Sequence, residues 1–354
     1  MFRRKTVLVV GAGASYELDL PTGDDLKGDL ATLLNITFPD GYSQKTGDEG
    51  IKECLIKRVQ NRGQRDWNDL LRKCWLIKDA LPGSLSIDNL LDAHAQDNDL
   101  VFCGKLAITR AILNAERKSK LFAKETARPS SIFQRVSGTW LIPFFQILTE
   151  NVKKDEINRL FDNLTIISFN YDRCIEAFLP AAIEAYYGIS ASEASACASS
   201  LQIIHPYGQV GQLSAQGDES HTPFGGNRYN LEAIAGQIRT FSEGLADPKL
   251  SASIETSCRS ALQIIFLGFA FHPINMDILS TSDVSCVRKV FGTTLGLSNA
   301  AQRVVGENIL QSFKKFPVDR QNASSLLEHK RLDELNLEPL KASNFLYSHF
   351  RGIA

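Results

Sequence analysis

The sequence predicts an α/β fold built on a parallel sheet, with a helical insertion and a helical C-terminal tail. Short apolar runs rich in β-branched residues recur along the chain, beginning with Thr6-Val7-Leu8-Val9-Val10. They are apolar at successive positions, which suits strands covered on both faces. Helical patterns separate them, and strands alternating with helices assemble as a parallel sheet.

The elements follow in order. The first strand runs into Gly11-Ala12-Gly13-Ala14-Ser15, where glycine permits a tight turn and close backbone approach. After Leu20-Pro21, Thr22 caps a helix whose first turn carries Asp24 and Asp25, placed well for the helix dipole. Residues 36–155 have mixed charge and helical spacing: Ser86 caps one helix, and Leu106, Ile108, Ala111, Ile112 and Ala115 stripe another. Strand character returns at Leu164–Phe169, ends in Asn170-Tyr171-Asp172, and gives way to a helix over 173–185. A short strand at Leu201–His205 precedes a Gly- and Ser-rich loop over 211–228. Another strand spans Leu262–Gly268, one more falls within 287–297, and the charged, periodic tail from about 298 reads as helices. Residues 1–35 and 156–298 thus form a Rossmann-like α/β domain, interrupted by a helical insertion over 36–155 and followed by a helical segment over 299–354.

Composition narrows the function classes. The 354 residues are 44% hydrophobic and 22% charged, ordinary for a globular protein. Lys and Arg (39) nearly cancel Asp and Glu (40), so no basic excess points to direct nucleic-acid contact. No apolar run approaches the ~20 residues that span a bilayer, and the start lacks the long apolar core of a secretory signal. The expectation is a cytoplasmic protein without membrane contact. Seven cysteines, an odd number, include no Cys-x-x-Cys pair, so reduced thiols are expected, with neither disulfides nor a metal site.

In parallel sheets ligands bind outside the carboxyl ends of the strands. Here those ends carry unusual polar chemistry. Gly11–Ser15 lacks the third glycine of the dinucleotide fingerprint, because Tyr16 stands there, yet its N–H groups could cradle a phosphate beside the Ser15 hydroxyl. The alternative is a tight turn without a ligand. Asn170 and Asp172 lie two apart and share a face if the extended backbone continues; otherwise either could simply cap the next helix. His205 and Tyr207 have the same spacing before Gly208. A neutral histidine suits proton transfer, but it could equally be a core residue bonded to a carbonyl. Gly268, Phe269 and Asn275 follow the late strand, where a base or ribose could sit or the chain could merely turn into a helix.

The ordered set Gly-Ala-Gly-Ala-Ser, Leu-Pro-Thr, Phe-Asn-Tyr-Asp, His-x-Tyr-Gly and Leu-Gly-Phe-x-Phe resembles the sirtuin-like domain of bacterial proteins. It is most similar to the antiphage-defence branch, whose domain hydrolyses NAD⁺. The similarity covers residues 5–35 and about 160–298, and Ser86-Ile87-Asp88 with Gly104–Ile108 looks typical of that branch's helical insert.

That resemblance implies a role for each matching residue. Gly11, Ala12, Gly13, Ala14 and Ser15 would line phosphates and ribose, while Pro21 and Thr22 would border the nicotinamide. Asn170 would position the nicotinamide ribose or the attacking water, and Asp172 would hold the carboxamide. Gly268, Phe269 and Asn275 would contact the adenosine end. Sirtuins place their catalytic histidine directly before the glycine, where this chain has Tyr207, so the base is either His205 or Tyr207.

The implied reaction is NAD⁺ hydrolysis to nicotinamide and ADP-ribose, with no metal. Antiphage defence by NAD⁺ depletion, homo-oligomerisation and, by analogy, a DNA-translocase-like ATPase partner complete the expectation. Rival readings are a zinc-free NAD⁺-dependent protein deacylase, a non-catalytic NAD⁺ or ADP-ribose sensor, and an ordinary dehydrogenase. Tyr16 counts against the last, and the missing zinc ribbon counts against deacylation.

Overall fold

A computed structural model describes residues 1–123, 128–213, 221–227, 229–313 and 332–354. Among them, six strands form one sheet: β1 (Thr6–Val10), β2 (Leu164–Ser168), β3 (Gln202–Ile204), β4 (Gln263–Leu267), β5 (Lys289–Thr293) and β6 (Glu334–Glu338). Their order is β3-β2-β1-β4-β5-β6, and every pairing is parallel. This is the Rossmann strand order. The chain winds outward from β1 to β3, then returns to the other side of β1 and winds outward to β6. The direction reverses between β1 and β4, so a crevice opens there at the carboxyl ends.

Burial explains why β1 and β4 are central. Every residue of both strands is buried. Val7 and Val9 belong to one core with the insertion residues Leu100, Leu106 and Ile112. Leu8 and Val10 belong to the opposite core with Phe144, Phe178 and Phe345. Strand alternation therefore sends successive side chains of β1 into two separate layers of helix.

Local signals fix the helix starts. Thr22 caps the helix Gly23–Leu34 in a capping box with Asp25, and Ser86 caps Ile87–Ala93 by accepting from Asn89 N. Between residues 36 and 155 the described regular elements are helices, the longest being Asn98–Lys118. Beyond 298 the chain forms the helices Asn299–Ser312 and Ala342–Ile353. Strand β6 lies between them, where periodicity suggested only helix. Its sequence, Glu-Leu-Asn-Leu-Glu, has weak strand propensity, and pairing with β5 overrides that preference. Of the loop expected over 211–228, positions 214–220 and 228 lie outside the described residues; Gln212 and His221 form an isolated parallel bridge. All seven cysteines are free, and no described helix is long and apolar enough to cross a membrane.

Candidate functional site

Strands β1, β2 and β4 end in register, Val10 pairing with both Ser168 and Leu267. The chain therefore turns at Gly11, Phe169 and Gly268 side by side. Gly11 N donates to Leu267 O and Gly13 N to Gly268 O, both at 2.9 Å. There is no room for side chains. A Cβ on Gly11 would stand 2.5 Å from Gly268 O, and one on Gly13 would stand 2.9 Å from Gly268 Cα. Gly268 has φ +58°, and its Cβ would fall 1.9 Å from Ala14 N. The glycines thus lock two strand ends together. The N–H groups of Gly11 and Gly13 are engaged in that lock, so the phosphate cradle is narrower than the motif implies.

Over this junction lies a cavity of about 800 Å³, within the size range of small-molecule sites. Gly11, Ala12, Gly13, Thr22, Asn170 and Tyr207 line it. So do Gly268, Phe269 and Asn275. Ala14 and Ser15 are buried in the turn behind it. Pro21 lines a neighbouring cavity of about 740 Å³, which shares Tyr16, Glu17 and Lys341 with the first. Asp172 and His205 are not among the residues lining either cavity.

Asp172 departs from Asn170 because the extended backbone stops at Ser168. Its carboxylate accepts from Cys174 N at 3.1 Å, at the start of the helix Cys174–Tyr187, and from the Ser15 hydroxyl. Burial raises its pKa against those hydrogen bonds. Asn170 stays at the cavity wall, where its Nδ2 donates to Ser15 Oγ at 2.8 Å. Ser15 therefore joins the two residues in one buried network, and the Asn170 amide is held in place.

His205 and Tyr207 also part company. Strand β3 stops at Ile204, and a tight turn follows in which Gly208, at φ +71°, donates to His205 O at 3.1 Å. His205 points inward: Nδ1 meets Asn170 O at 3.1 Å and Nε2 meets Glu176 Oε1 at 2.8 Å. Burial opposes its protonation, but the Glu176 carboxylate and the Asn170 carbonyl outweigh it, and the pKa is raised. Tyr207 faces the cavity and donates to Asn275 Oδ1 at 2.5 Å. Burial pushes its pKa up, which makes it a poor base. Phe169 and Phe269, with ring centroids 5.0 Å apart, form an apolar wall beside it.

Two further walls come from segments to which the sequence assigned no site role. The insertion contributes Ser86, Asp88, Asn89 and Asp92, and the tail contributes Leu340, Lys341 and Ala342. Asp88 accepts a hydrogen bond from Tyr171 Oη. Burial, opposed by the Tyr171 and Ser86 hydrogen bonds, raises its pKa. The segment Ser86-Ile87-Asp88 stands out only as part of the resemblance; by its own chemistry an acid beside a capping serine looks like an ordinary helix start.

No protein-family model matches the chain, and no curated protein does.

The chemical reading therefore rests on the cavity. Its acids, Glu17, Asp24, Asp88 and Asp92, outnumber the lysine Lys341. Glu17 is already committed to protein donors, Trp140 N at 2.7 Å and Ser343 N at 3.0 Å. Such a cavity suits an elongated ligand with apolar rings, hydroxyl donors and a positive centre. Among the described residues no group of three or more His, Cys, Asp or Glu side chains is gathered to hold a metal ion.

Proposed function

We propose that this chain binds NAD⁺ in the crevice between β1 and β4 and hydrolyses its nicotinamide–ribose bond. The observation that carries the proposal is the cavity itself, of about 800 Å³ at the point where strand order reverses, with Asn170 fixed at its wall. Dinucleotides bind at that place in doubly wound sheets. The ordered resemblance to sirtuin-like NAD⁺ hydrolases supports the same reading.

Nicotinamide departure leaves positive charge on the ribose. Acids beside the ribose would favour both the cationic ring and that developing charge, while they repel the diphosphate, toward which Lys341 is the lysine lining the cavity. Asn170 would orient the ribose or the incoming water, with Ser15 holding its amide, so that positioning supplies much of the rate. His205 would act through Asn170, whose carbonyl it holds, and not on the substrate. In this reading hydrolysis depletes NAD⁺ in antiphage defence and is controlled by self-association or by a partner.

One observation favours a second reading. With His205 engaged by Glu176 and Tyr207 donating to Asn275, neither is poised as a base, as would suit a module that binds NAD⁺ or ADP-ribose without turnover.

Nicotinamide release from NAD⁺, measured over a range of protein concentrations, separates the two. For a hydrolase, Asn170→Ala should lower turnover about a hundredfold or more while the protein stays folded. Full activity in Asn170→Ala would remove the cavity from the mechanism. A ligand-induced thermal shift without nicotinamide release would favour the binding module.

A further inference from the structure

The cavity lacks an acid where a doubly wound dinucleotide site commonly has one, at the end of the second strand, to accept from a ribose hydroxyl. Strand β2 ends in Phe169 and Asn170, and Asp172 is turned into the core against Cys174 N. The carboxylate comes from elsewhere. Asp88, on the insertion helix Ile87–Ala93, lines the same cavity. It keeps partial exposure because that side faces the cavity, while protein encloses the rest of its carboxyl.

Several features mark Asp88 as more than a helix-start acid. The cap is already made by Ser86, which accepts from Asn89 N at 3.2 Å. Tyr171, buried behind β2, donates its hydroxyl to Asp88 Oδ1 and fixes the carboxylate. An ionised carboxylate offers roughly four acceptor positions and no donor, so the hydrogen bonds from Tyr171, Ser86 and its own backbone N–H leave it an acceptor position. Its neighbours across the cavity include Tyr207 and His272, both close enough to interact electrostatically with it. The other acids fit less well: Glu17 is engaged by backbone donors, Asp24 is exposed, and Asp92 is held only by Ser242 Oγ in a solvent-exposed hydrogen bond, where Asp88 is held by a buried tyrosine.

We propose that Asp88, supplied by the helical insertion, accepts a hydrogen bond from a ribose hydroxyl of the bound dinucleotide, an inference that rests on the NAD⁺ reading of the cavity. The insertion is then part of the site, and Tyr171 is a positioning residue acting through Asp88.

Isothermal calorimetry tests this without requiring turnover. The ligands are NAD⁺, ADP-ribose and NAD⁺ analogues each lacking one ribose hydroxyl, titrated into wild type and Asp88→Asn. A hydrogen bond to a charged group corresponds to about a tenfold to hundredfold change in affinity. Wild type should lose that factor with one of the deoxy analogues. Asp88→Asn should lose it with NAD⁺ and ADP-ribose, yet bind that analogue as wild type does. Equal weakening of every ligand in Asp88→Asn would reduce Asp88 to a structural residue and overturn the proposal. So would a wild type indifferent to every missing hydroxyl, a result that needs no variant to fold. Wild type binding NAD⁺ with either of those outcomes would leave the NAD⁺ reading intact. Wild type binding none of the ligands would overturn that reading and this inference together.

Discussion

At the scale of single residues, the strongest constraint in the site is the absence of side chains. Gly11, Gly13 and Gly268 bring two strand ends into backbone contact, and a Cβ on any of them would collide with the facing turn. Gly268 carries both demands at once, a left-handed φ of +58° and no space for a Cβ beside Ala14 N. Gly268→Ala should therefore destabilise the fold by about 2–5 kcal/mol, combining left-handed strain with overpacking. Urea unfolding checks this, and a loss below about 1 kcal/mol would mean that the two turns are not locked. Nearby, Phe271 holds φ +55° although it has a side chain, with its ring packed on Phe266 and Phe269. That aromatic packing offsets the strain.

Between elements, the contacts that matter are polar and buried. The helix Asn98–Lys118 reaches the β2 turn through Glu116, whose carboxylate receives Arg173 Nε at 3.0 Å and Gly225 N at 3.0 Å. Both partners of that ion pair are fully buried, so the insertion is tied to the residues next to Asn170. His205 ties the end of β3 to the helix Cys174–Tyr187 through Glu176. Its raised pKa makes this tie pH-dependent, and the sign follows from linkage. The folded state holds the proton more tightly than the unfolded chain, whose histidine titrates near 6.5. The stabilisation is fully present below about pH 6.5 and is lost as pH rises through the folded pKa. Glu176→Gln should remove most of it, leaving the smaller contributions of the Asn170 carbonyl and Asp172. The melting-temperature gap between wild type and variant should be widest near about pH 6, below the free-histidine pKa, and shrink toward about pH 9, well above it. A gap that is flat or widens with pH would show that His205 is not held as an imidazolium by Glu176.

The same elements show what local sequence could and could not reveal. Strand β1 and the Thr22 and Ser86 caps are legible because their causes lie within a few residues: a β-branched run, or a side chain reaching the N–H three positions on. Asn170 and Tyr207 are legible as residues of the cavity wall because they follow strand ends. Asp172 and His205 are not separable from them by spacing, since a turn begins after Ser168 and after Ile204 and the two-residue alternation stops there. Strand β6 is created by its neighbour, with Lys289 Nζ 2.5 Å from Glu334 Oε2 across the pairing. Asp88 meets its partner Tyr171 across 83 residues of chain, a distance no motif spans.

For the whole molecule, the consequence is that the cavity belongs to no single segment. Its walls come from the segments 11–24, 85–92, 169–170, 268–275, 293–295 and 340–342, together with Tyr207 and Phe241. The two cores lie on opposite faces of the sheet, because alternate residues of β1 enter opposite layers. A ligand filling the crevice would contact the sheet, the insertion and the tail together, and would stabilise the native state by about 2.7 kcal/mol at a hundredfold excess over its Kd. That stabilisation should appear in all three regions at once. Hydrogen–deuterium exchange with and without saturating NAD⁺ should show slowed uptake over 85–92 and 340–345 as well as over 11–15 and 268–275. Protection confined to the strand ends would mean that the ligand sits on the sheet alone and that insertion and tail are bystanders. Protection in all four stretches, with the far face of the helix Asn299–Ser312 unchanged, would mark the insertion and the tail as walls of the binding site.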